Sequence, residues 1–159
     1  MHITVLAVGR LKEKYLQEAQ AEYLKRLSAY ARVNVVEVAD EAVREGASPA
    51  VEEAVKRKEA ERLAKHIHPG AYVVALDREG GRMTSEGFSD FIVGLGIEGK
   101  SQITFIIGGT LGLSGTVLQS AQRRLSFSDM TFPHQLMRII LLEQVFRAFR
   151  IARGEPYHR

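Results

Sequence analysis

Short β-rich runs separated by longer segments of helical spacing confine this chain to an α/β layer architecture. The runs are residues 3–9 (ITVLAVG), 33–38 (VNVVEV), 72–77 (YVVALD) and 102–107 (QITFII). Strands with one wet face alternate apolar and polar residues, whereas strands of a parallel sheet covered on both faces are apolar nearly throughout. These runs are of the second kind, and Leu125 and Phe127 mark a shorter fifth strand.

The intervening segments carry helix signals. Leu16, Ala19, Tyr23, Leu27 and Tyr30 recur at helical spacing, and Pro49 is a favourable first residue for a helix to about His66. Arg78 to Arg82, with Gly80-Gly81, reads as a turn before a helix capped by Thr84 or Ser85 and reaching about Leu95. Ser114 caps the helix after the fourth strand. Pro133 opens the last helix, expected to run to about Ala152 before Gly154 and Pro156 stop it. A chain of 159 residues in this order is expected to form a single domain around one sheet.

The last helix is polar only along Glu143, Arg147 and Arg150. Ile139, Ile140, Leu141, Leu142, Val145, Phe146 and Phe149 cover most other directions. In a small domain a helix apolar nearly all round is expected to be shared between two surfaces, which predicts a homodimer.

Composition removes several kinds of chemistry. There is no cysteine, which excludes disulfides, thiolate metal sites and cysteine nucleophiles. No stretch approaches the ~20 apolar residues of a membrane span, and no signal-peptide pattern precedes the first strand. A soluble, cytoplasmic protein without a membrane partner is expected. Residues 123–159 hold seven arginines against Asp129, Glu143 and Glu155, while the rest of the chain has 15 basic and 16 acidic residues. Such a basic quarter fits a phosphate-bearing partner, and solvated helices also show it.

Several segments carry candidate chemistry. Gly108-Gly109-Thr110-Leu111-Gly112-Leu113 follows the fourth strand, where open α/β sheets place ligands and where glycine lets a ligand approach the backbone. Thr110 breaks the dinucleotide fingerprint, and a tight strand-to-helix turn is an equally good reading of the segment alone. Ser126 to His134 mixes small hydroxyls with Phe127, Met130 and Phe132, a loop able to enclose a flat heterocycle. His134 and Arg138 are helix neighbours on an apolar sector, so Arg138 needs an acidic side chain, a ligand or groups across a subunit boundary. The tail Gly154-Glu155-Pro156-Tyr157-His158-Arg159 ends on a phenol, an imidazole and a guanidinium. Those groups suit base stacking, proton exchange and phosphate binding, although chain termini commonly fray.

Taken together, Gly108-Gly109 with Gly112-Leu113, Leu125 to Ser128, Met130 to His134, Arg138, Glu143 to Ala148 and Pro156 to Arg159 resemble the RlmH family. These are pseudouridine N3-methyltransferases of large-subunit (23S) ribosomal RNA within the SPOUT superfamily. The resemblance covers the whole chain, and its specific part is the C-terminal half. It implies a parallel sheet with a C-terminal deep trefoil knot, the knot and dimer helix lying within about residues 104–155. It also implies a homodimer, S-adenosylmethionine as methyl donor, no metal, and a partner that is large-subunit RNA or the assembled ribosome. Carried over by position, the donor contacts fall on Leu76, Gly108, Phe127, Ser128, Asp129, Met130, Thr131 and Phe132. Catalytic roles are expected at His158 as proton acceptor, Tyr157 against the base, and Arg159 on phosphate or the developing anion. Two other functions fit the same segments. One is a SPOUT-type enzyme for another ribosomal or transfer RNA nucleotide; the other is a non-catalytic dimeric RNA-binding or ribosome-assembly factor.

Overall fold

The computed structural model describes residues 1–158. Strands β1 (His2–Val8), β2 (Arg32–Val38), β3 (Tyr72–Arg82), β4 (Gln102–Ile107) and β5 (Arg123–Ser126) form one parallel sheet in the order β2-β1-β4-β3-β5. The helices are α1 (Lys14–Leu27), α2 (Pro49–Ala64), α3 (Ser85–Ile97), α4 (Gly115–Ser120) and α5 (His134–Ala152). The expected α/β class with a parallel sheet is the one that forms.

The apolar runs are explained by two cores, one on each face of the sheet. Ile3, Val5, Ala7, Val74, Ile103, Phe105 and Ile107 pack with Leu27, Phe88, Ile92, Leu141, Leu142 and Val145 from α1, α3 and α5. Their strand neighbours Leu6, Val8, Val73 and Ile106 join Leu63 of α2 and Val117 of α4. Successive side chains point to opposite faces, so a strand covered on both sides must be apolar at both phases.

Helix starts follow the capping residues. The hydroxyls of Ser48, Thr84 and Ser114 accept from the backbone N–H groups of Val51, Gly87 and Val117 at 3.3, 3.0 and 3.3 Å. Pro133 precedes α5 rather than opening it; its carbonyl accepts from Met137 N at 2.9 Å, and no side chain caps this end.

The turn expected at Arg78 to Arg82 is instead an irregularity inside a long β3. Leu76 and Gly81 both face Leu125 of β5, so the residues between them loop out of the ladder before pairing resumes at Arg82 and Ser126. A Cβ on Gly80 would lie 2.7 Å from Arg124 C and Leu125 N, which explains the glycine.

Helix α5 lies between α1 and α3 against the sheet. Ser89 Oγ donates to the Ala148 carbonyl at 2.7 Å, and Ser85 Oγ donates to Gln144 Oε1 at 2.8 Å, tying α3 to α5. Ile139, Leu141, Leu142, Val145, Phe146 and Ala148 are all buried within the single chain. The apolar girth that predicted a second copy is therefore largely absorbed at home. What stays open is a narrower strip, with Leu136 39% exposed and Met137 and Ile140 half-buried.

Candidate functional site

The connections after neighbouring β1 and β4 leave in opposite directions, toward β2 and β5 respectively. Loops that part in this way leave a crevice at the carboxyl ends of the strands. A cleft of about 620 Å³, counted to its open mouth, lies there over the ends of β4, β3 and β5.

Leu76 and the glycine turn form one wall, and the loop after β5 forms the other. Seven of the eight residues expected to contact the donor line it: Leu76, Gly108, Phe127, Ser128, Met130, Thr131 and Phe132. Asp129 does not, because its carboxylate turns outward and pairs with Arg82. Asp77, Arg78, Ser126, His134 and Met137 also line it and were not among the expected contacts. Asp77 and Arg78 simply continue past Leu76, but Met137 carries no local signal; only the fold of α5 against the loop brings it in.

Gly108 is a glycine for a different reason than ligand approach. A Cβ there would sit 2.7 Å from Gly112 C, 2.9 Å from Gly112 O and 3.0 Å from Leu113 N, so the turn closes directly over it. A backbone bond completes this closure: Gly112 N donates to Gly109 O at 3.0 Å, and Gly112 adopts φ +80°. Behind the turn lies buried Glu59, whose Oε1 accepts from Glu41 N at 3.2 Å. Burial pushes this carboxyl above the usual carboxylate range, with help from Asp40 and against the Glu41 N–H.

The loop after β5 is shaped by its serines. Ser126 Oγ donates to the Ser128 carbonyl and Ser128 Oγ accepts from Met130 N, each at 3.0 Å. Arg78 Nη1 reaches Thr131 Oγ1 at 3.4 Å from the opposite wall. At the cleft floor, burial and the Arg138 guanidinium hold the His134 imidazole below its ordinary value. Arg138 is fully buried and finds the acidic partner its position required: Nη1 donates to Glu37 Oε2 at 2.5 Å and Nη2 to the Gly9 carbonyl at 3.1 Å.

The C-terminal tail is elsewhere on the same chain. Tyr157 packs edge-on against Phe146 at 5.0 Å, donates to Glu143 Oε1 at 3.1 Å, and lies under the Arg147 guanidinium. Burial, reinforced by the Glu143 carboxylate, raises its phenol above the ordinary value. Glu155 accepts from the Tyr30 hydroxyl at 2.6 Å and pairs with Arg150. His158 contacts Arg147 and Glu86, and Arg159 lies outside the described residues. Along α5 the cleft lining reaches Met137 and the tail's nearest bonded residue is Glu143, six residues on, about 9 Å at ~1.5 Å per residue. The cleft thus meets the first turn of α5, and the tail meets its middle and C-terminal half. Much of the basic quarter is also internally paired, through Arg124 with Asp77, Arg138 with Glu37, Arg147 with Glu143 and Arg150 with Glu155.

This arrangement can be set beside known proteins. The sequence profile of the family described as "Predicted SPOUT methyltransferase" matches residues 1–158. The chain belongs to the SPOUT methyltransferase family. Among relatives of this SPOUT methyltransferase, the ribosomal RNA large subunit methyltransferase H of Clostridium kluyveri is 55% identical over the full length of both chains. That of Pelotomaculum thermopropionicum is 60% identical over 99% of this chain and 98% of its own. The Carboxydothermus hydrogenoformans protein of the same name is 57% identical over the full length of both. Solved structures share the fold of this chain. A probable methyltransferase from Bordetella pertussis aligns with TM-score 0.58 at 13% identity, over 92% of this chain and 95% of its own. A probable methylase family protein from Haemophilus influenzae aligns with TM-score 0.56 at 12% identity, over 99% and 70%. Among the described residues, no group of three or more His, Asp or Glu side chains is placed to hold a metal, and no helix is long and apolar enough to cross a membrane.

Proposed function

We propose that this SPOUT methyltransferase uses S-adenosylmethionine to methylate N3 of a pseudouridine in 23S ribosomal RNA, in the cytoplasm. The observation that carries the donor assignment is the cleft over β4, β3 and β5, whose walls gather Leu76, Gly108 and the loop residues Phe127, Ser128, Met130, Thr131 and Phe132. The substrate assignment is supported by full-length relatives whose name specifies large-subunit ribosomal RNA.

The lining fits such a donor. Phe127, Phe132, Leu76 and Met137 offer apolar surface for a flat heterocycle, and the irregular backbone around Ser128 and Met130 offers polar groups for its edge. When bound, S-adenosylmethionine supplies an electrophilic methyl group on a sulfonium. The chain's own contribution is to align the base with that site and to remove the N3 proton. His158 accepts the proton, Tyr157 stacks on or orients the base, and Arg159 holds phosphate or the developing anion. Asp129, directed to Arg82, shapes the loop mouth.

These roles require a tail and a cleft to meet, and within one chain they contact separate stretches of α5, about 9 Å apart from Met137 to Glu143. A homodimer solves this if two α5 helices pack antiparallel through the open strip of Leu136, Met137 and Ile140, so that each tail serves the partner's cleft. A C-terminal trefoil knot, lying with the dimer helix within about residues 104–155, is part of the same reading, in which the C-terminal segment threads a loop.

The test pairs two measurements on one protein lacking residues 157–159. Calorimetric titration with S-adenosylmethionine is expected to give near-normal affinity. Incorporation of labelled methyl groups into ribosomes that lack the modification is expected to be lost. Absence of donor binding by the intact protein refutes the methyltransferase reading, and near-normal transfer after truncation refutes the role of the tail.

A further inference from the structure

The imidazole at the far end of α5 is held on both nitrogens. His158 Nε2 lies 2.7 Å from Glu86 Oε1, in the first turn of α3, and Nδ1 lies 3.2 Å from Arg147 Nη1. A guanidinium only donates, so Nδ1 must present its lone pair. The hydrogen of the neutral ring then sits on Nε2 and is donated to Glu86. Arg147 is itself fixed, its Nε and Nη2 donating to Glu143 Oε1 at 3.1 and 2.6 Å. An imidazole oriented by a carboxylate on one nitrogen, with the other lone pair turned toward a donor, is the arrangement by which acid–base sites make histidine take up a proton.

We propose that Glu86 is a positioning residue for proton transfer: it keeps the His158 hydrogen on Nε2, so that Nδ1 is the atom that takes the N3 proton of the substrate base. The inference rests on the tail reading given above. In this step the N3–H bond breaks, the proton moves to Nδ1, and the electron pair stays on N3. The N–H of Arg147 occupies that lone pair until the substrate N–H displaces it. The Glu86 carboxylate then faces an imidazolium and favours it. Charged and titratable groups bonded around the ring, among the described residues, are Glu86 from α3, Arg147 and behind it Glu143 from α5, and Tyr157 from the tail. Glu86 is held below the usual carboxylate range by its own backbone N–H and by His158, which favours its ionised form.

The experiment uses the full chain carrying Glu86→Gln or His158→Asn. Nitrogen NMR of the ring in the wild type is expected to show the Nε2–H tautomer, and Glu86→Gln is expected to weaken that preference. In single-turnover methyl transfer to unmodified ribosomes, Glu86→Gln is expected to lower the plateau rate and move the acid limb of the pH profile down by about half a unit, as suits an exposed pair. Glu86→Asp is expected to restore part of the plateau, and melting temperature to stay near wild type in all three. An Nδ1–H tautomer in the wild type, or an acid limb unmoved in Glu86→Gln while His158→Asn is inactive, overturns the role of Glu86 alone. Full transfer by His158→Asn overturns the tail reading and this inference with it.

Discussion

Adding one methyl group at position 108 tests whether the glycine turn is required by its own backbone. In Gly108→Ala the new Cβ would stand 2.7 Å from Gly112 C and 2.9 Å from Gly112 O. Comfortable contacts begin near ~3.5 Å, so the turn must open by roughly 0.7 Å or more. The obstacle is backbone rather than a flexible side-chain end, and Gly112 is already in a positive-φ conformation that limits relaxation. Overpacking of this kind costs about 1–3 kcal/mol. At about 2 kcal/mol, a domain of this size loses roughly 4–8 °C in melting temperature. The same turn is a wall of the cleft, so affinity for S-adenosylmethionine should fall about tenfold, a change of about 1.4 kcal/mol. Gly115→Ala is the control: no heavy atom lies within 4 Å of its added Cβ and its φ is not positive, so its effect should stay within about 0.5 kcal/mol. Thermal unfolding and calorimetric titration of both variants decide the matter. A Gly108→Ala protein that melts and binds like the wild type would refute the reasoning.

Arg138→Ala should lower stability in denaturant titration by about 3 kcal/mol, the low end for a broken buried pair because the Glu37 side chain is 36% exposed and can rehydrate. For Glu59 the folded carboxyl titrates above its unfolded value, so its contribution is fully present below the unfolded value and is lost as pH rises through the folded one. Glu59→Gln, which keeps an acceptor for Glu41 N, should therefore gain stability over wild type near neutral pH and lose that advantage toward about pH 4, as read from melting curves across pH. Mixing subunits that lack residues 157–159 with Gly108→Ala subunits, at limiting donor, should give more methyl transfer than either alone. No gain on mixing would place each tail with its own cleft.

The sequence by itself determined the element order, the parallel sheet and most helix starts, because those depend on local periodicity and on hydroxyls that cap their own helix, as Ser48, Thr84 and Ser114 do. It also marked the two loops that wall the cleft, since ligand sites gather at strand ends and the glycines of Gly108 to Gly112 follow one. Its resemblance to a known family added residue-level expectations that no periodicity contains. Tertiary structure alone decided which partner each charged group meets. Arg138 needed an acid, but only the approach of α5 to the ends of β1 and β2 chose Glu37, 101 residues away, and the Gly9 carbonyl. The same is true of α5 itself. A helical wheel counts apolar directions but not the number of neighbours that cover them, so it could not foresee that α1, α3 and the sheet would bury Ile139 and Phe146 within one chain. Gly80 and Arg78 show the limit from the other side. Local propensity reads a turn, while pairing with β5 holds Gly81 and Arg82 in the sheet and lets the residues before them loop out toward the cleft, because long-range ladder bonds outweigh a preference confined to a few residues.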